Sequence, residues 1–202
     1  MKKYWVYIIG FAIFVAIVII RMEYAFIYGF FTLIAVSFFL EKKKFWAWIP
    51  ALAVSWLWIY IATAVWNAYY GYDDLKFYIF GIAVFPIVTW PLGLMAGYLI
   101  VVPFIKIENR FKKWMMIFLI YAVGLILLES VGHNIIGLHL HYGKQFRGWP
   151  VLNCFHSPPW MQIGYFLNGF VFYGLTSFLE NTKLTGPYVV EAVKEQTPDI
   201  SA

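Results

Sequence analysis

Residues 114–136 read WMMIFLIYAVGLILLESVGHNII, an apolar run whose last turns carry a carboxylate, Glu129, and an imidazole, His133. A membrane-spanning helix needs about 20 mainly apolar residues at 1.5 Å rise each. Hydrocarbon offers backbone amides no water, so a run of this kind closes its hydrogen bonds internally as a helix. Five further segments share this character: residues 4–20, 24–40, 45–66, 77–105 and 160–179. The expected fold class is therefore all-α, a polytopic membrane protein of about six transmembrane helices. Residues 1–180 form one transmembrane domain. From Asn181 the composition turns to Asn, Thr, Lys, Glu, Pro and Ser, which predicts a mobile tail over residues 181–202.

Composition supports the same class. Of 202 residues, 63% are hydrophobic and only 12% charged, about half the charged share of a soluble domain. The net charge of +5 is gathered in short clusters between apolar runs, which suits anionic headgroups and not nucleic acid. The single cysteine, Cys154, excludes an intrachain disulfide. Met1-Lys-Lys before an apolar run resembles a signal peptide, but no small-x-small site follows, so a retained first helix is expected. In a six-helix arrangement Lys2, Lys3, Lys42, Lys43, Lys44, Lys106, Arg110, Lys112 and Lys113 share one side. The positive-inside rule then places both termini in the cytoplasm and the chain in the cytoplasmic membrane. Arg21, Glu23, Asp73, Asp74, Lys76, Lys144 and Arg147 fall on the outer side. Residues 77–105 exceed one span and contain Pro86, Pro91 and Pro103, so either a broken helix beside a cavity or a kinked long helix is expected there.

Chemistry-bearing residues concentrate in residues 129–160, ESVGHNIIGLHLHYGKQFRGWPVLNCFHSPPW, which hold all four histidines. An acid at membrane depth is costly unless it faces a partner or water, which makes Glu129 the first candidate catalytic residue. Low-dielectric surroundings favour the neutral form of a carboxyl, and a neutral carboxyl can donate a proton. His133 follows at i+4 on the same helix face and can tune or reload it. Asp73 and Asp74, on the same side, are candidate auxiliary acids or bases. Asn67, Thr89, Trp90, Tyr142, Trp160 and Asn168 are candidate substrate-binding groups around a cavity at depth. A metal site built from Glu129, His133, His139, His141 and His156 is the alternative, since imidazole and carboxylate suit zinc or iron. HExxH is absent, however. Residues 138–159, with Gly148-Trp149-Pro150 and Pro158-Pro159, predict an irregular lid over the outer mouth. Most of the abundant Trp, Tyr and Phe are expected to face lipid or the interface, while a cavity lined by several would suit a long apolar substrate and stabilise a cation through ring quadrupoles.

Two stretches resemble the integral-membrane carotenoid enzymes. Trp66-Asn67-Ala68-x-x-Gly71-Tyr72, then Gly81 and Pro86, is similar to the lycopene cyclase domain. Glu129-x-x-Gly132, then Gly137, Tyr142, Gly148-x-Pro150 and Trp160, is similar to carotenoid hydratases of the bacterioruberin pathway. The resemblance covers roughly residues 60–165. It departs from the cyclase pattern at Val88 and Thr89, where paired glutamates would stand, and at Asn67, where an aspartate would. It implies a multi-helix fold for a lipid substrate and protonation of an alkene by a buried carboxyl, for which Glu129 is the donor present. The expected function is an enzyme acting on an isoprenoid or other membrane lipid by carboxyl-mediated protonation, of cyclase or hydratase type, without a soluble cofactor. A metal-dependent membrane enzyme is one alternative, and a non-enzymatic transporter subunit or assembly factor is another.

Overall fold

Proline and glycine placement governs how the apolar runs become helices. In a computed structural model, residues 22–66, 77–137 and 146–180 are described, with residues 5, 9, 10, 12 and 13 ahead of them. The chain is mostly helical. Helix α1 is Met22–Leu40, α2 is Trp48–Trp66 after a 3-10 turn at Lys42–Ala47, and α3 is Val84–Ala96. Helix α4 is Arg110–Val131 and α5 is Pro159–Leu179. Four stretches are long and apolar enough to cross a membrane: Glu23–Leu40, Lys42–Val65, Val84–Phe104 and Arg110–Ile136. The first expected segment, residues 4–20, and the tail, residues 181–202, lie outside the described residues apart from the five positions named above.

The segment 77–105 departs from a single helix. Its first residues form a small antiparallel hairpin, Tyr78–Ile79 with Ile82–Ala83. Phe80 (φ 51°) and Gly81 (φ 79°) make its turn, and left-handed residues of this kind match the right-handed twist of a tight hairpin. The helix starts only at Val84. Pro86 falls in the first turn, where its missing N–H has no intrahelical partner to lose. Pro91 lies inside α3 and leaves the Ile87 carbonyl without its i+4 donor. Trp56 of α2 supplies the substitute, its Nε1–H donating to Ile87 O at 3.3 Å. After α3 the backbone widens to a π turn at Gly97–Val101 and tightens to a 3-10 turn at Val102–Phe104, where Pro103 ends it.

Caps define the other ends. Asn109 Oδ1 accepts from Lys112 N at 3.0 Å, the N-cap geometry that starts α4. A second π turn, Gly132–Ile136, prolongs α4 and stops at Gly137, whose φ of 75° suits glycine. The expected connection at residues 21–23 is shortened: α1 already includes Met22 and Glu23. That side chain is buried and accepts from Phe77 N at 2.9 Å, tying α1 to the hairpin. A buried carboxylate at a helix N-terminus gains from the helix dipole. Glu129 is therefore not the one acid the interior holds.

Helix α1 packs on α3, α3 on α2, α2 on α5, and α5 on α4, whereas α3 and α4 touch at most marginally. Helix α5 buries the polar side chains Asn168, Thr176 and Ser177, and it sits between α2 and α4. Small residues let large rings approach it. A Cβ on Gly164 would overlap the Trp58 indole, and one on Gly169 the Tyr121 ring. Trp48 Nε1–H donates to Ser37 Oγ at 2.6 Å, and Ser37 Oγ–H to Ile34 O at 2.9 Å, which joins α2 to α1. One core cluster, around Trp48, Met95, Tyr98 and Phe172, fills the end nearer Lys44. Another, around Ile59, Phe85, Phe155 and Tyr165, fills the end nearer His156.

Candidate functional site

Because α3 and α4 stand apart, a cleft of about 540 Å³ opens between them, within the roughly 300–1,000 Å³ that houses one small-molecule ligand. Helix α5 supplies its floor through Tyr165 and Tyr173, and the segment after Cys154 closes one end with His156 and Ser157. Both π turns reach it, one through Gly97 and Val101, the other through Gly132 and His133. Such turns recur at functional sites because they re-aim side chains within a helix. Along α4 the cleft runs from Ile117 to beyond Glu129, about 18 Å at 1.5 Å per residue. Its rim includes the exposed Ile100, Ile120 and Leu128, so the opening between the two helices is apolar.

Polar groups along the middle are already engaged by the protein. Thr89 Oγ1–H donates to Phe85 O one turn back. Tyr121 OH donates to Tyr165 O at 2.8 Å, and Tyr173 OH to Leu94 O at 3.1 Å. What remains towards a ligand there is ring surface: Trp90 against Tyr165 at 5.1 Å, with Tyr121, Tyr173 and Phe85. Acid–base chemistry is confined to one end, where Glu129, His133 and His156 line the wall.

That end is built with unusual rigidity. The rings of His133 and His156 stack with centroids 3.5 Å apart and planes 14° from parallel. A Cβ on Gly148 would overlap the Nε2–Cε1 edge of the His156 ring, so glycine is required at this contact. Trp149 N–H donates to Cys154 O at 2.7 Å, forming an isolated antiparallel bridge. Leu152, Asn153 and Phe155 all have left-handed φ values, 61°, 44° and 57°. Non-glycine residues occupy that region at a cost, and their clustering here indicates a conformation imposed by its surroundings. Asn134 imposes much of it: its Nδ2 lies 3.1 Å from Leu152 O and 2.9 Å from Ser130 O, while Ser130 Oγ–H donates to Leu152 O at 2.7 Å. Gln162 of α5 holds the far side, donating to Ser157 O at 2.7 Å and Phe155 O at 3.1 Å. Cys154 is wholly buried beneath this turn. Burial, and after it the neighbouring Glu129 carboxylate, hold its thiol above the ordinary cysteine range despite an opposing backbone hydrogen bond.

The expected site residues divide into three groups. Glu129, His133, Thr89, Trp90 and His156 come together on the cleft. Trp160 and Asn168 do not: Trp160 packs against Trp58 at 6.2 Å, and Asn168 is buried within α5 away from the cleft wall. Asn67, Asp73, Asp74, His139, His141 and Tyr142 lie outside the described residues. Among the described residues no three His, Cys, Asp or Glu side chains gather to hold a metal ion. Two imidazoles stacked face to face also point their ring nitrogens sideways in parallel, which does not converge their lone pairs on one ion. Asn134, Asn153 and Gly148 were not legible as site residues from spacing alone. The chain matches no family model, no curated protein and no solved structure.

Proposed function

We propose that this chain is an integral-membrane enzyme that takes an isoprenoid or other long lipid chain into the α3–α4 cleft and protonates one of its double bonds from Glu129. One observation carries the reading: a carboxyl and two imidazoles stand at one end of a long cleft whose remaining wall is mainly hydrocarbon and aromatic ring. An alkene needs no hydrogen bonds along its length, and the hydroxyls of Thr89, Tyr121 and Tyr173 have their protons committed to backbone carbonyls. Proton transfer from Glu129 to an alkene carbon leaves a carbocation, which faces such as Trp90 and Tyr165 stabilise by their quadrupoles. Ring closure moves the charge to a new carbon that then loses a proton, or water adds to the cation and loses one; in either case the released proton passes through the imidazole pair back to Glu129. The apolar rim lets substrate enter from the bilayer. In this reading residues 4–20 and α5 complete six spans, with both termini in the cytoplasm.

The test is lipid analysis of membranes carrying the wild-type chain or Glu129→Gln, supplied with a linear polyene. Wild type yields a cyclised or hydrated product. The variant yields none while keeping its thermal transition. Product from a folded Glu129→Gln protein removes Glu129 from the acid role.

A further inference from the structure

We infer that Asn134 and Asn153 are positioning residues that hold His156 as the tautomer with its proton on Nε2, leaving Nδ1 as the atom through which this imidazole accepts a proton. The assignment follows from a chain of hydrogen bonds that begins at atoms of fixed polarity. Backbone carbonyls can only accept, and Asn134 Nδ2 lies 2.9 Å from Ser130 O, 3.1 Å from Leu152 O and 3.3 Å from Asn153 O. The nitrogen of the Asn134 amide must therefore face this group of oxygens, which fixes the other atom as Oδ1. Asn134 Oδ1 in turn accepts from Asn153 Nδ2 at 2.8 Å, and this orients the second amide. Asn153 Oδ1 is then the atom that meets His156 Nε2 at 3.1 Å, and an acceptor there requires Nε2 to carry hydrogen. In a neutral imidazole the other nitrogen holds the lone pair.

The backbone supports the same function. Asn153 reaches both partners from a left-handed conformation, φ 44°, a region that asparagine tolerates better than most residues. His156 cannot turn to escape the arrangement, because His133 covers one face and the Gly148 backbone lies against its edge. A base oriented by a third group is the general pattern of acid–base sites, with an amide here where a carboxylate often stands. The inference concerns only the chain's own hydrogen bonds and stands or falls independently of the reaction proposed above.

Nitrogen-15 NMR of full-length protein labelled at histidine, in nanodiscs about two pH units above the ordinary imidazole value of ~6.5, reads the tautomer directly. His156→Gln identifies the His156 signals. The wild type should show one pyrrole-like nitrogen at Nε2 and one pyridine-like nitrogen at Nδ1, without averaging. Asn153→Ala should bring the two signals towards an average or invert them, and Asn153→Asp, which keeps the acceptor, should restore the wild-type pattern. A wild-type His156 protonated at Nδ1, or one averaging between tautomers, overturns the inference without recourse to any Asn153 variant. So does an Asn153→Ala spectrum identical to wild type.

Discussion

Gly148→Ala isolates the packing of the histidine pair from its chemistry. A Cβ at position 148 would overlap Nε2 and Cε1 of His156 and lie 3.0 Å from Cys154 O. The ring has little room to retreat, since His133 covers it at 3.5 Å and Asn153 holds Nε2 at 3.1 Å. Overpacking a tight site by one methyl costs about 1–3 kcal/mol, and losing the Asn153 hydrogen bond adds about 0.5–1.5 kcal/mol. The expected loss is roughly 2–4 kcal/mol. Gly132→Ala is the matched control: it lies on the same cleft, but a Cβ there meets nothing within 4 Å. Alanine in place of glycine within a helix gains about 0.5–1 kcal/mol. Thermal unfolding in one detergent, followed by tryptophan fluorescence, should therefore move in opposite directions for the two variants. A Gly148→Ala protein within 0.5 kcal/mol of wild type would refute the close approach on which this reasoning depends.

Trp56→Phe should cost on the order of 1 kcal/mol by exposing the Ile87 carbonyl that Pro91 leaves without a helix donor. Pro91→Ala, which restores that donor, should reduce the cost in a double-mutant cycle of denaturation midpoints; an unchanged cost would detach Trp56 from the proline. The Cys154 thiol sits above its ordinary range in the folded chain because of burial and, second, the Glu129 carboxylate. Its neutral form therefore adds stability that is intact below the unfolded thiol's value and is lost as pH rises through the folded one. Alkylation of the native protein at mildly alkaline pH should be slow, and Glu129→Gln should quicken it by lowering the thiol towards its ordinary value. Equal rates in both proteins would mean that Glu129 does not act on Cys154. Leu128→Trp, which places a large ring on the rim between α3 and α4, should slow uptake of a polyene from vesicles while leaving the thermal transition unchanged. Unaltered uptake would argue against entry at that rim.

The helices were legible because their apolar runs are long and their ends are marked: residues 24–40, 45–66, 114–136 and 160–179 each coincide with a helix to within a few residues. Residues 77–83 were not, because a short, largely exposed hairpin at the edge of an apolar run has the same composition as the helix that follows. Glu129 and His133 were legible as a pair because i+4 spacing on a helix guarantees a shared face. The partnership of His133 with His156 was not, since it depends on how a strained turn folds back over α4, and spacing in sequence carries no trace of that. Asn134 lies inside the apolar run 114–136, and nothing in its spacing marks it out. Its importance lies in where it finds carbonyls, which only the fold decides. Glu23 was passed over as loop charge because its carboxylate is satisfied by Phe77, far along the chain.

The two π turns on the cleft carry a consequence for how its wall can vary. A π turn closes its ring over one more residue than an α turn, as Gly137 N–H to Gly132 O does here. In effect it is a single-residue insertion that the helix absorbs without breaking. Removing one residue there lets the turn relax to a regular α turn, whereas the same deletion from a regular α stretch rotates what lies beyond it by about 100°. A one-codon deletion between Gly132 and Ile136 would therefore be absorbed by loss of the π turn, while one between Ile117 and Leu128 would swing Glu129 and His133 off the cleft. For this wall, the count of residues matters as much as their identity.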